Sequence, residues 1–206
     1  MPFLDAVRLT VDLDALAWNF GVLRDAAAGA EVAPVVKADG YGLGAAPVAR
    51  RLWREGARSF FVARLDEGEA LRAALGTGRA ADILVLDGLT PGSAPRLAAA
   101  GLIPVLMSAA QVRAALDLGA LAEAPLPVAL HVDTGMNRQG VTPAQAAALA
   151  GSNELYRLDL RLIMSHLGSA AVAADARNAR QLEAFRSVRG LFPQARASLE
   201  IGRAHV

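Results

Sequence analysis

The sequence predicts an α/β protein built on a parallel sheet, and three observations carry that prediction. Six short apolar runs rich in β-branched residues recur along the 206 residues: APVVKA (33–38), SFFVAR (59–64), DILVLDG (82–88), IPVLMS (103–108), PVALHVD (127–133) and LRLIMSHL (160–167). Most are followed by Ala-, Leu- and Arg-rich stretches with apolar residues three and four apart, such as LDEGEALRAALG and SAAQVRAALDLG, which read as amphipathic helices. The runs start about 20 to 35 residues apart, the size of one βα unit. Units of this kind in series wind a sheet in one sense, giving an open doubly wound sheet or a (β/α)8 barrel. A complete barrel needs eight strands and about 250 residues. On the barrel reading the chain therefore stops inside the barrel, with ARASLE (195–200) opening a seventh strand.

Ahead of the first run, VRLTVDLDALAWNFGVLRDAAAG (7–29) reads as a strand and a helix. No linker or low-complexity segment divides the chain. It is 54% hydrophobic and 20% charged, the balance of a globular protein. A net charge of +1 with interleaved signs, and no basic patch with aromatics, argues against nucleic acid as a partner. Without cysteine there is no disulfide, thiol nucleophile or cysteine-ligated metal, and no metal site is expected. The N-terminus lacks the pattern of a signal peptide, and no apolar run approaches the roughly 20 residues that span a bilayer. The expected compartment is the cytoplasm.

In a parallel α/β fold the chemistry sits at the C-terminal ends of the strands. Lys37 closes the first run and the glycine-rich DGYGLG follows it. Asp133 and Arg138 follow the fifth run in HVDTGMNRQG, and His166 closes the sixth in LIMSHLGSA. Lys37 is the single lysine among 21 Lys and Arg residues. Arginine stays protonated in proteins, whereas a lysine amine can act as a base or bond an aldehyde. Taken singly, each of these residues has a plainer reading: a solvated lysine, a packed core histidine, a turn that caps a helix. GYGLG lacks the later glycine and the acidic partner of a dinucleotide loop.

Taken together the segments are more specific. VVKADGYGLG resembles the pyridoxal-phosphate attachment motif of alanine racemases, HVDTGMNRQGV their second signature and MSHLGSA their third, in the same order and over nearly the whole chain. The resemblance implies a (β/α)8 barrel of the alanine racemase type, incomplete, with about six βα units present. It implies interconversion of L-alanine and D-alanine, supplying D-alanine for peptidoglycan. Lys37 is then the catalytic residue, carrying pyridoxal 5'-phosphate as an internal aldimine and serving one face of the substrate. A tyrosine of the partner subunit serves the other face in a homodimer. By the same resemblance Tyr41 contacts the cofactor phosphate and His166 lies along the cofactor ring. Arg138 contacts the cofactor's phenolic oxygen and the carboxylate of alanine. Asp133 and Asn137 shape their loop.

Several departures accompany the resemblance. Position 39 is Asp and position 43 is Leu, where many members differ. His131 stands where some members carry a carboxylated lysine that orients the arginine. Residues 1–199 are expected to be the partial cofactor-binding barrel, with the β-rich second domain absent. EIGRAHV (200–206) breaks the family pattern, reads like a translated sequencing adapter and is expected to be non-native. As written, the chain is expected to be inactive by itself. Two other readings are a stand-alone pyridoxal-phosphate-binding barrel that handles the cofactor without racemising, and a related amino-acid racemase or decarboxylase. A further alternative is a chain that does not fold, because six strands leave open sheet edges.

Overall fold

The structure is a computed structural model that describes residues 9–76 and 80–200. In chain order it contains α1 (Leu13–Ala26), the short turn α2 (Lys37–Tyr41), α3 (Ala45–Arg54), β1 (Ser59–Val62), α4 (Leu65–Leu75), β2 (Asp82–Val85), α5 (Ala94–Ala99) and β3 (Ile103–Leu106). Then follow α6 (Ala109–Gly119), β4 (Leu126–His131), α7 (Pro143–Ala150), β5 (Leu158–His166), α8 (Ala176–Arg189) and β6 (Arg196–Glu200). The six strands form one sheet in the order β1-β2-β3-β4-β5-β6, every pair parallel. A doubly wound sheet requires the strand order to reverse at a switch point. Among the described strands it does not, and the order is that of an α/β barrel left incomplete.

Strand parity divides the side chains into two layers. Phe60, Val62, Ile83, Val85, Leu130 and Ile163 face the helices and join Leu52, Leu71, Leu116 and Phe185 in the larger core. The alternate residues Phe61, Leu84, Val105, Ala129, Leu162 and Met164 form a second cluster with Ala33, Val35 and Leu86. One cluster drawing on β1 through β5 by a single parity is the filling of a curled sheet.

The curl has a second signature. β2 and β6 stand four positions apart in the sheet, roughly 19 Å if it were flat. Yet Arg196, at the start of β6, donates to Asp82 at the start of β2 (2.5 Å) and to Glu31 ahead of the first apolar run (3.1 Å). Those side chains can meet only if the N-terminal ends of the strands draw around toward one another.

Two expected strands differ from expectation. Residues 33–38 contribute a single parallel bridge, Val35 to Phe61, in place of a full strand. The Val36 N–H donates to Phe61 O (2.8 Å) and the Phe61 N–H to Pro34 O (2.9 Å). Pro34 has no N–H to offer, and Val36 leaves the extended region at φ −122°, ψ 24°, so pairing stops just before Lys37. Residues 9–12, the described part of the strand expected ahead of α1, are not in a strand. Instead Asp12 caps α1, its Oδ1 accepting from the N–H groups of Asp14 and Ala15. The seventh run, by contrast, is strand β6. Its last residue, Glu200, pairs with His166, and residues 201–206 of the expected non-native tail lie outside the described residues. Among the described residues no helix is long and apolar enough to cross a membrane.

Arg196 and its carboxylates are partly exposed, so Arg196→Ala should cost no more than about 1 kcal/mol, with the loss shrinking as salt rises. Denaturant unfolding at low and high salt checks this. A stability difference independent of salt would contradict the ion-pair account of the closure.

Candidate active site

Three segments converge on the C-terminal ends of the strands. The first begins at Lys37, which is partly buried and stands two residues after Val35, a residue packed against the inner cluster. From there the backbone winds left-handed: Ala38 (φ 51°, ψ 50°), Asp39 (φ 50°, ψ 49°), Gly40 (φ 65°, ψ 38°) and Tyr41 (φ 58°). Only Gly40 of the four lacks a Cβ, and each of the others costs roughly 1–2 kcal/mol in this region. The Gly40 N–H donates to Val36 O and the Gly42 N–H to Ala38 O, both at 2.9 Å. Two carboxylates hold the turn's ends. Glu67 Oε1 accepts from the Ala38 N–H (2.8 Å), and Asp39 Oδ1 accepts from the Ala45 N–H at the start of α3 (2.7 Å). Tyr41 ends the turn with 62% of its surface exposed.

The second segment follows β4. Val132 bridges Val141, closing a loop that contains Arg138. Asp133 Oδ1 accepts from the N–H groups of Gly135 (2.9 Å), Met136 (2.9 Å) and Asn137 (3.1 Å), the loop-shaping role expected of it. Asn137 takes φ 57°, and Arg138 is exposed, with no ion pair among the described residues. Gly140 closes the loop at φ +122°. A Cβ there would lie 2.6 Å from the Asp133 N and 3.1 Å from His131 Cδ2. His131, only 4% exposed, thus packs directly beneath the loop that carries Arg138.

The third segment ends β5. His166 is partly buried and shares the parity of Leu162 and Met164. Its carbonyl accepts from Gln181 Nε2 (3.0 Å), while Gln181 Oε1 accepts from the Gly168 N–H (2.9 Å). The Thr134 and Ser165 hydroxyls share a hydrogen bond of 2.8 Å, with Gln181 Nε2 3.5 Å from Thr134 Oγ1. The second and third segments are thereby tied to each other.

Lys37, Arg138 and His166 are all delivered to one end of the sheet, and Tyr41 lies on the turn that starts with Lys37. Lys37 and His166 remain widely separated in strand order, and only the curl gives them a common interior. Tyr156 lies in the turn before β5, at the opposite end of the strands. Glu67, Gln111 and Gln181 were not singled out from the sequence. Glu67 and Gln111 sit at the third helical position after a strand, the place of the reaching acid or amide in a capping box, and that is the signal that could have found them. Among the described residues no group of three or more His, Asp or Glu side chains is placed to hold a metal ion.

A barrel sector that carries its single lysine, an exposed arginine and a partly buried histidine at the C-terminal ends of its strands belongs to the class of α/β barrels with an amine-bearing site at the C-terminal mouth. The chain itself matches the family model "Alanine racemase, N-terminal domain" over residues 11–206, and it belongs to that family. A Methylobacterium nodulans protein named alanine racemase is 50% identical over 196 residues, covering 93% of this chain and 51% of that protein. A Mesorhizobium japonicum protein named as a catabolic alanine racemase is 47% identical over 192 residues, covering 93% of this chain and 50% of that protein. The crystal structure of alanine racemase from Bartonella henselae, with covalently bound pyridoxal phosphate, superposes with a TM-score of 0.85 at 30% identity. That superposition covers 92% of this chain and 52% of that one, so the chain spans about half the length of the relatives it matches.

Two outcomes follow for the loops. Gly140→Ala should cost about 2 kcal/mol or more, from an unfavourable φ together with the clash, as read by denaturant unfolding. Asp175, which caps α8 and so supports Gln181, is held well below the usual carboxylate range by the Arg177 side chain and the Arg177 N–H. A depressed carboxyl adds stability that is present above the ordinary carboxylate pKa of about 4 and is lost as pH falls below it. Asp175→Asn should therefore lose less stability than wild type between about pH 5 and pH 2. Equal losses would remove Asp175 from the acid response.

Proposed function

We propose that the protein carrying this chain is an alanine racemase that interconverts L-alanine and D-alanine with pyridoxal 5'-phosphate bonded to Lys37. The observation that carries this is the single lysine, placed at the strand ends where a strained left-handed turn begins. The donor set fits the cofactor. An aldehyde needs a primary amine, which Lys37 supplies, and a phosphate and a phenolate need donors, which the Tyr41 hydroxyl and the Arg138 guanidinium supply. When bound, the cofactor supplies an electron sink for the charge left at Cα as its proton departs.

The chain's own groups divide the remaining work. Lys37 Nζ, freed when the amine of alanine takes its place on the cofactor, would take or return the Cα proton on one face of alanine. Arg138, permanently charged and forked, receives the substrate carboxylate. His166 would help to hold the cofactor, and the apolar inner layer would keep water from the reacting carbon. Inversion needs a second proton-carrying group on the opposite face. Tyr156 stands at the wrong end of the strands for it, and that group is proposed to come from the partner subunit of a homodimer. The protein is proposed to work in the cytoplasm and to supply D-alanine for peptidoglycan. The catabolic name of the Mesorhizobium relative makes growth of a D-alanine auxotroph the test of that last role.

Lys37→Ala in the intact protein should abolish the visible absorption of bound cofactor and cut racemisation by at least about 100-fold. Absorption spectroscopy and a coupled alanine assay check both. Full activity in Lys37→Ala would overturn the assignment.

A further inference from the structure

Three helices reach over the strand ends with one side chain each, and the type of side chain follows what it meets. Gln111 of α6 accepts from the Met107 N–H (2.9 Å) and donates to Asp87 O (3.0 Å), joining the ends of β2 and β3. Gln181 of α8 likewise accepts from one backbone group and donates to another. An amide suits both places because each presents one donor and one acceptor. Glu67 of α4 meets donors only. Oε1 accepts from Ala38, and Oε2 accepts from Ala63 (2.7 Å) and Arg64 (3.1 Å). Three N–H groups converging on two oxygens call for an ionised, acceptor-only carboxylate, which makes the stronger charge-assisted bonds.

Of these three residues, Glu67 alone bonds the Lys37 turn, and it does so at the peptide immediately after Lys37. That turn holds three non-glycine residues in left-handed conformation, which persists only where surroundings over-determine it. We propose that Glu67 is a positioning residue for Lys37. Its carboxylate locks the first peptide of the left-handed turn to the end of β1, and this fixes the direction in which the amine leaves the strand end. The inference rests on the cofactor reading for its catalytic consequence, but not for the lock itself.

Glu67→Gln keeps the size of the side chain and turns an NH2 toward one of the three N–H groups. The intact protein and this variant are compared by hydrogen–deuterium exchange of the segment 37–45 and by trapping pyridoxal phosphate on Lys37 with borohydride. Alanine kinetics complete the comparison. The lock predicts faster exchange in 37–45 at an unchanged unfolding midpoint, and slower trapping. It also predicts a kcat lower by about 10- to 100-fold with a KM for alanine changed less than about threefold. Ala38→Gly in the Glu67→Gln background should restore part of the kcat and of the trapping rate, because glycine adopts left-handed φ at no steric cost. A role confined to general stability would show no such rescue.

Unchanged exchange, trapping and kcat in Glu67→Gln would overturn the proposal, and so would a loss that Ala38→Gly leaves untouched. If the unaltered protein traps no pyridoxal phosphate on Lys37, the cofactor reading fails. Faster exchange in Glu67→Gln would still uphold the lock in that case, and unchanged exchange would sink it.

Discussion

A parallel strand that stops leaves bare N–H and C=O groups at its end, and these must be paired if they are not left to water. At the mouth of a barrel the pairing has to be done without filling the space that a substrate needs. Here the solution comes from the outside. α4, α6 and α8 each send a single polar side chain over the rim to satisfy backbone groups from neighbouring strand ends. Glu67 joins the Lys37 turn to β1, Gln111 joins β2 to β3, and Gln181 joins the His166 end of β5 to its own following loop and to Thr134 after β4. The inner layer stays apolar, and the groups that could do chemistry are left to Lys37, Arg138, His166 and Tyr41.

The two ends of the strands are held by different physics. At the N-terminal end Arg196 draws β6 toward β2 through partly exposed ion pairs, a modest and salt-sensitive contribution. At the C-terminal end short hydrogen bonds to backbone hold conformations that the chain would not adopt alone. The left-handed turn is the extreme case. Its strain is of the order of several kcal/mol over three residues, comparable to a large fraction of a domain's net stability. A turn so held offers a lysine amine in one direction, where an ordinary strand end would let it range.

Much of this was legible in the sequence because it is local. The apolar runs and the helical spacing mark β1 to β5 and the helices between them, and ARASLE marks β6. Lys37, Arg138 and His166 stood out as polar residues that follow apolar runs. The first run misled because its own Pro34, and the turn beginning at Lys37, cut its pairing to one bridge. The curl was legible only through the family resemblance, since local periodicity left an open sheet and a barrel both standing and the contacts that mark the curl, such as Arg196 with Asp82, span 114 residues. The rim contacts were not legible. Glu67 reads as one more acid on an amphipathic helix until the fold sets it against Ala38, 29 residues earlier. A left-handed path through Ala38, Asp39 and Tyr41 contradicts the local preference of each residue and arises only from tertiary restraint.

The most direct measurement is a crystal structure of the intact protein grown with pyridoxal phosphate. The arrangement at the barrel mouth requires electron density continuous with Lys37 Nζ, a left-handed Ala38–Tyr41 turn, and the Glu67 carboxylate on the Ala38 N–H. Cofactor bound away from Lys37, or a right-handed turn with Glu67 directed to solvent, would contradict it.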